Sequence, residues 1–478
     1  MLAAPFRHAR HEVVTGRLSR LRPRRRRRPW WLLLPLAALV LATMTGFQLA
    51  ISAWQLMQAR SDLVAGRFMT AQREFSQARD GLQHSPLLVP LRLLPPANRQ
   101  LHSIALLADM GLHGSRAAAT GLTAARTQNV TQIDQLRREL EIIMADRQEI
   151  PTAGLVAPAQ QALTDFDRHI REAQAMLPLL PFLDGIAGSN GSASYLVLQQ
   201  DPAELRATGG FIGSVAFLDF NHGSLQPFQP VDIESIDGPH FHRTLGVAGD
   251  PKYVAPPAPF VRVLDPGDSW ELRDGNFSPD FPTSARLAEF LLQRETGRKV
   301  AGVIAIDPYL IADLLTLTGP VAVPETGDVL TPQNFFETTL RKVELHRGAT
   351  PRKSFLSYAT TAVIDRLKKL PAHDWLKVAQ IVEQACLSKD IQAYFDAPTL
   401  QAQVNHFGCG GQVPAFQQDG LLVVDENLNS NKDDFWISRS FKLEVQQRQD
   451  GSARHTLTID YGPYPKLEQL TTPFIDWL

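Results

Sequence analysis

Two stretches of this chain gather side chains able to handle an anion. The first is Gln200-Asp-Pro-Ala-Glu-Leu-Arg-Ala-Thr-Gly-Gly-Phe-Ile-Gly-Ser, residues 200–214, which sets Asp201, Glu204 and Arg206 directly after an apolar run that reads as a strand. Loops at strand ends are where α/β sheets hold ligands. A guanidinium donates in a fork, and Thr208 with Gly209 and Gly210 lets backbone N–H groups approach an anionic oxygen closely. The same residues also make a structural turn in which Arg206 pairs with Glu204 or Asp201. The second stretch runs from Trp270 to Ala285 and holds Arg273, Asp274, Asn276 and Asp280 ahead of a helix capped near Thr283 or Ser284. Loop carboxylates and an amide can hold Mg²⁺ through water and substrate phosphates. Asp, Asn, Ser and Pro are equally the residues of turns and caps.

Other motifs are weaker. His240 and His242 would share one face of a strand, but with no third ligand a solvated loop is the simpler reading. Asp425 to Asp434 lacks the central glycine and closing Glu of a calcium loop, so it reads as an acidic turn. Nucleophile-elbow, Walker and dinucleotide-binding signatures are absent from the sequence. Cys386 and Cys409 can form one disulfide or stay as two buried thiols.

The elements that must position these turns begin at an anchor. Trp30 to Ala59 carries no charge and follows Arg-Pro-Arg-Arg-Arg-Arg-Arg-Pro. About 20 apolar residues cross a bilayer core, and Trp30, Trp31 and Trp54 fall where interfacial anchors belong. A cleaved signal peptide competes, but the apolar run is long and no small-x-small site follows it. Residues 1–28 hold ten Arg against Glu12, leaving −10 on the rest of a chain whose net charge is −1. Such an arm faces anionic lipid rather than nucleic acid and stays in the cytoplasm. The expected order is a basic arm (1–29), a transmembrane helix (30–54), a helical stalk (55–189), an α/β domain with a mixed sheet and flanking helices (190–412) and a small β module (413–478). One helix is read through Leu56, Leu63, Phe68, Ala71, Phe75, Ala78 and Leu82, and residues 178–191 read as a linker. Strands are expected at 195–199, 211–220, 300–306, 420–425, 435–446 and 453–461, and helices at 282–296 and 308–317.

At the two anion-handling turns the chain resembles a bacterial family of unknown function, numbered four-zero-one-two. The matching segments are Tyr195–Gln199, Glu204–Ser214, Leu272–Ala285, Val303–Pro308, Leu317–Val321, Lys389–Phe395 and Asn427–Trp436. Its core is in turn similar to the LytR-CpsA-Psr phosphotransferases, which move glycopolymers from a polyprenyl pyrophosphate carrier onto peptidoglycan with Mg²⁺. The resemblance implies a membrane-anchored, extracytoplasmic envelope protein at the bacterial cytoplasmic membrane, with lipid and lipid-linked glycan or peptidoglycan as partners. In a transferase, Arg206, Arg273 and Asp280 would be catalytic. Asp201, Glu204, Thr208, Gly209 and Asn276 would contact substrate, and Asp274 with Asp280 would hold Mg²⁺. The chain departs from the pattern where Arg-Ser-Asp-Thr reads Arg206-Ala-Thr-Gly, and no Pro-Arg-Asp follows the second strand. Cys409 stands where an aromatic is common, and the tail after Tyr461 ends early for a complete β module. The alternative is a non-catalytic scaffold or glycan-binding protein whose arginines are paired internally.

Overall fold

The structure, a computed structural model, describes residues 34–188, 191–227, 230–238, 252–258, 260, 269–345, 354–371, 374–416, 419–428 and 432–462. The arginine-rich arm, Trp30, Trp31, and the His240/His242 pair lie outside the described residues.

Helix α1 (Leu34–Val64) has no charge before Arg60, and from Ala37 it is long and apolar enough to span a membrane. The apolar steps from Leu56 to Leu82 belong to two helices, not one. Gly66, at φ +73°, turns the chain, and α2 (Phe68–His84) folds back along α1, with Gln55 Nε2 donating to Gln77 Oε1 at 3.2 Å. Both helices present the same spacing to the same core, so periodicity alone runs through the turn.

The proline-rich stretch then passes through a 3₁₀ turn at Pro86–Leu88 and the short α3 (Val89–Arg92) into α4 (Pro95–Thr127). Pro at a helix start loses an N–H that has no intrahelical partner anyway. At 1.5 Å per residue, the 33 residues of α4 extend about 50 Å. Helices α5 (Ile133–Glu149) and α6 (Ala157–Met176) complete the bundle around Met110, Ile143 and Leu163. Gly111 leaves room for the Phe75 ring. Ion pairs cross between helices, Arg79 to Asp109 at 2.7 Å and Arg60 to Asp165 at 2.9 Å.

The stalk is bonded to the next domain. Past α4, Val130 N donates to Gly223 O at 2.9 Å and Leu225 N to Gln128 O at 2.9 Å. The expected linker is not one: α7 (Leu179–Ala187) packs Phe182 edge-on against Phe395 and Phe407. Its glycine and proline content suggested a linker, but Leu180 and Ala187 are buried, and packing decides.

A mixed sheet follows, built from β1 (Ser192–Asp201), β2 (Phe211–Asn221), β3 (Ser224–Leu225), β4 (Val231–Asp232), β5 (Gly302–Ile306) and β8 (Ile391–Phe395). Its order is β3-β2-β1-β5-β8, with β4 also on β2. Only β1 and β5 run parallel, Leu196 opposite Val303, so their carboxyl ends, Asp201 and Asp307, lie side by side. Helix α9 (Phe281–Thr296) covers one face through Ala285, Ala288 and Leu291, against Leu196, Leu198 and Ile212. Helices α7 and α14 (Pro398–His406) cover the other around Tyr195 and Phe395. The short α8 (Ile233–Asp237) follows β4.

A satellite core joins α10 (Pro308–Thr318), the hairpin β6 (Val321–Val323) and β7 (Asp328–Leu330), α11 (Phe335–Leu345) and α12 (Ser354–Leu367). Helix α13 (Trp375–Ser388) leads into β8. Residues 420–425, expected as a strand, form an exposed coil, because no strand pairs with them among the described residues. Strands β9 (Arg439–Gln447) and β10 (Ala453–Tyr461) form the hairpin turned at Asp450-Gly451.

Cys386 and Cys409 are bonded, pinning the end of α13 to the segment after α14. With the bridged positions 23 apart in sequence, replacing both by Ser is expected to cost about 3 kcal/mol of stability from the freed loop. A urea titration reads this as a lowered midpoint; an unchanged midpoint would show that the bridge contributes nothing.

Candidate functional site

Strand β1 delivers the first turn. Gln200 Nε2 donates to Thr208 Oγ1 at 2.5 Å, Asn276 Nδ2 donates to Thr208 Oγ1 at 2.9 Å and Gly210 O at 2.8 Å, and Gln392 Nε2 donates to Thr208 O at 2.6 Å. Three amides from β1, the second turn and β8 thus converge on one buried threonine. Gly209 sits at φ +133°, and a Cβ on Gly210 would strike the Asp201 carbonyl. The glycines therefore bring backbone onto backbone.

Arg206 points inward from this turn. Nη2 donates to Glu204 Oε1 at 2.8 Å, and Nη1 donates to the carbonyls of Leu205, at 3.1 Å, and Asn427. Its guanidinium lies 5.3 Å from the ring centre of Phe211 and 5.1 Å from that of Phe277, within cation–π range. Among the described residues, Nε has no hydrogen-bond partner. Lys432 adds a second cation, 2.9 Å from Asp201 Oδ2 and 3.1 Å from Glu204 Oε2. Asp434 Oδ2 accepts from Leu205 N at 2.9 Å and Asn427 Nδ2 at 2.8 Å, while Arg439 pairs with Asp434 and Asp425. The acidic turn of the C-terminal segment is thus a strap across the first turn.

The second turn is built around Asp237, the last residue of α8. Its Oδ1 accepts from Leu272 N at 3.0 Å and its Oδ2 from Arg273 Nε at 2.9 Å. Arg273 Nε also lies 3.1 Å from Glu271 Oε2. One guanidinium faces two buried carboxyls, and burial pushes Glu271 up to about 8, with Arg273 opposing and Asp237 and Asp274 adding. Burial raises Asp237 as well, against the pull of Arg273. Asp274 is only partly buried by area, yet its dense surroundings push it up to about 7, with Arg273 and Arg206 both acting against that rise.

The structure brings the two turns together. Asn276 bonds the first turn directly, Phe277 stacks under Arg206, and Asp274 feels both guanidiniums. Asp280 stands apart as the N-cap of α9: Oδ2 accepts from Thr283 N at 3.2 Å and Thr283 Oγ1 at 2.5 Å, and Oδ1 accepts from Val413 N at 3.1 Å. Sequence reasoning missed Asp237, Glu271, Gln392, Lys432 and Asp434 as partners. Nothing local marks Asp237, whereas Lys432 and Asp434 fell inside the Asn427–Trp436 motif. It also missed Asp307, directly after β5, which burial and the neighbouring Asp390 push upward while its Oδ1 accepts from Tyr309 N at 2.9 Å.

Residues 190–343 match the family model described as Protein of unknown function (DUF4012), and the matched span holds both arginine turns. The strap lies beyond the matched span. None of the curated proteins matches the chain. Among solved structures, that of the Lin1025 protein from Listeria innocua is similar at 10% identity and a TM-score of 0.24, covering 56% of this chain and 92% of that one.

The raised Glu271 has a signed consequence. Because burial raises this carboxyl to about 8 in the folded state and the unfolded chain releases its proton near the ordinary 4.5, its stabilising contribution is full below about 4.5 and is lost as pH rises through about 8. Wild-type denaturation midpoints should therefore carry a falling component between pH 5 and 9 that Glu271→Gln removes. An identical pH profile for the two proteins would mean Glu271 is ionised in the native state.

Proposed function

We propose that this protein is a membrane-anchored, extracytoplasmic envelope scaffold whose DUF4012 domain is carried on a helical stalk and whose arginine turns are structural. One observation carries the reading: the side chains of Arg206 and Arg273 are only 4% and 8% exposed and are paired with Glu204, Asp237 and Glu271. An anion clamp must offer its guanidinium to the ligand, and these are spent on the fold. Placement outside the cytoplasm is supported by the Arg-rich arm before the apolar run and by the Cys386–Cys409 bridge, which oxidising compartments favour. A glycan or peptidoglycan surface is the partner this location offers.

A transferase acting on polyprenyl-pyrophosphate-linked glycans is the second reading. It is favoured by Glu271 and Asp274, carboxyls raised into the neutral range beside two arginines, as catalytic acids and bases often are. It requires the strap at 425–439 to leave Arg206. Of the two carboxylates expected to hold Mg²⁺, Asp280 does not fit the ion as folded, because both its oxygens are used in capping α9 and in the Val413 contact.

Arg206→Ala separates the two. Breaking a buried pair costs at most about 3–5 kcal/mol, and here Lys432 still faces Glu204 at 3.1 Å. The scaffold reading expects a sharp fall in melting temperature for the full chain in detergent, and no binding of undecaprenyl pyrophosphate to the wild type with or without Mg²⁺. Saturable binding to the wild type, lost in Arg206→Lys at unchanged melting temperature, would overturn the scaffold reading and establish the second.

A further inference from the structure

We infer that the proline-rich tip between α2 and α4, residues 85–97, is embedded in the domain-side leaflet of the bilayer that α1 crosses. Its partner is lipid acyl chains. This rests on the anchoring reading of α1 and adds a second point of membrane contact. Arg28 is the last charge before the apolar run and Arg60 the first after it. About 20 residues span the hydrocarbon core, so a span beginning after Arg28 ends near Leu49. The tip docks on α1 at that level: Thr45 Oγ1 donates to Leu87 O at 2.8 Å, and Leu49 packs with the cluster that holds Leu88 and Leu91. A segment seated there is beside the last turns of the span.

Its surface suits that position. Val89, Leu93 and Leu94 are 46%, 77% and 55% exposed, and Met44 and Phe47, which flank Thr45 on α1, are exposed as well. The one charge from Ser85 to Ala97 is Arg92, whose Nη2 donates to Leu82 O at 2.9 Å, back along α2. His84 and Arg99 flank the segment, as headgroup-level residues do.

The backbone supplies an independent observation. A bilayer demands that each N–H be bonded internally. Pro86, Pro90, Pro95 and Pro96 have no N–H to satisfy. Leu88 N donates to Ser85 O, Leu93 N to Val89 O, Leu94 N to Leu91 O and Asn98 N to Leu94 O, at 2.9 to 3.2 Å. A tip that is apolar outside and in which many N–H groups are either absent or bonded internally fits lipid.

The test uses the full chain in nanodiscs of phosphatidylcholine and phosphatidylglycerol. With Cys386 and Cys409 bonded, one added cysteine takes a nitroxide label at Leu93→Cys, at Leu39→Cys on α1, or at the exposed Arg126→Cys near the far end of α4. Collision with oxygen against a water-soluble nickel chelate reports depth. The Leu93 label should favour oxygen several-fold, as the Leu39 label does, and the Arg126 label should favour nickel. A nickel-accessible Leu93 beside a lipid-embedded Leu39 overturns this inference and leaves the anchor standing. A nickel-accessible Leu39 overturns the anchor itself, and the inference with it. Spin–spin broadening between Leu93 labels would assign the patch to a second copy of the chain and overturn the lipid assignment.

Discussion

Burying a guanidinium is the constraint on which the α/β domain turns. Taking each ion out of water costs several kcal/mol even after relaxation, and only close partners offset it. Arg206 finds them in Glu204, two carbonyls and two aromatic faces, and Lys432 closes on Glu204 and Asp201 from the other side. The partners come from the exit of β1, from the second turn and from the C-terminal strap, which is more than 200 positions away from Arg206 in sequence. If the strap withdraws, Lys432 leaves Glu204 and Asp201, and if the second turn withdraws, Phe277 leaves the Arg206 guanidinium. Three regions distant in sequence are therefore bound into one cooperative unit.

The same partnership fixes the second turn. Phe277 lies under Arg206 and in van der Waals range of Trp270 and Phe260, whose ring centres are 5.8 and 4.7 Å away. Asn276 reaches across to Thr208. Arg273 then faces two acids, and one positive charge cannot hold two ionised carboxylates in a medium of low polarity. Burial pushes Glu271 and Asp274 upward, with neighbouring carboxylates adding and Arg273 opposing, so the raised carboxyls need no substrate to explain them; ion networks of this kind perturb pKa values as active sites do.

Local patterns in the sequence were legible where the chain obeys local rules. Alternation and the Asn221-His-Gly turn located β1 and β2, with His222 and Gly223 both at positive φ in the hairpin. Strand β10 falls at 453–461, as alternation about Asp450-Gly451 requires. What failed was tertiary. Gly66 breaks a helix whose apolar spacing continues undisturbed, α7 forms in a stretch whose glycines read as a linker, and the apolar residues 421–424 stay coil for want of a partner strand. Of the site, the turns and the pairing of Arg206 with Glu204 could be read locally, two positions apart. Asp237 could not, being 36 positions from Arg273, nor could Lys432, because no periodicity encodes a contact over such separations.

The path from membrane to arginine turns bears on which function the fold favours. Helix α4 runs about 50 Å from the proline-rich tip to the β2–β3 turn. That turn lies at the amino end of β1, where Asn221 pairs with Ser192. Ten residues of β1, about 33 Å at strand rise, then lead to Asp201 and the first arginine turn. The arginines are therefore at the opposite end of the sheet from the stalk contact. A diphosphate carried on a lipid sits in the headgroup layer, and its chemistry belongs to groups held there. A stalk bonded to the near end of the sheet, with the far end laced by a strap, sets the arginine turns away from α1 and so supports the proposed scaffold reading.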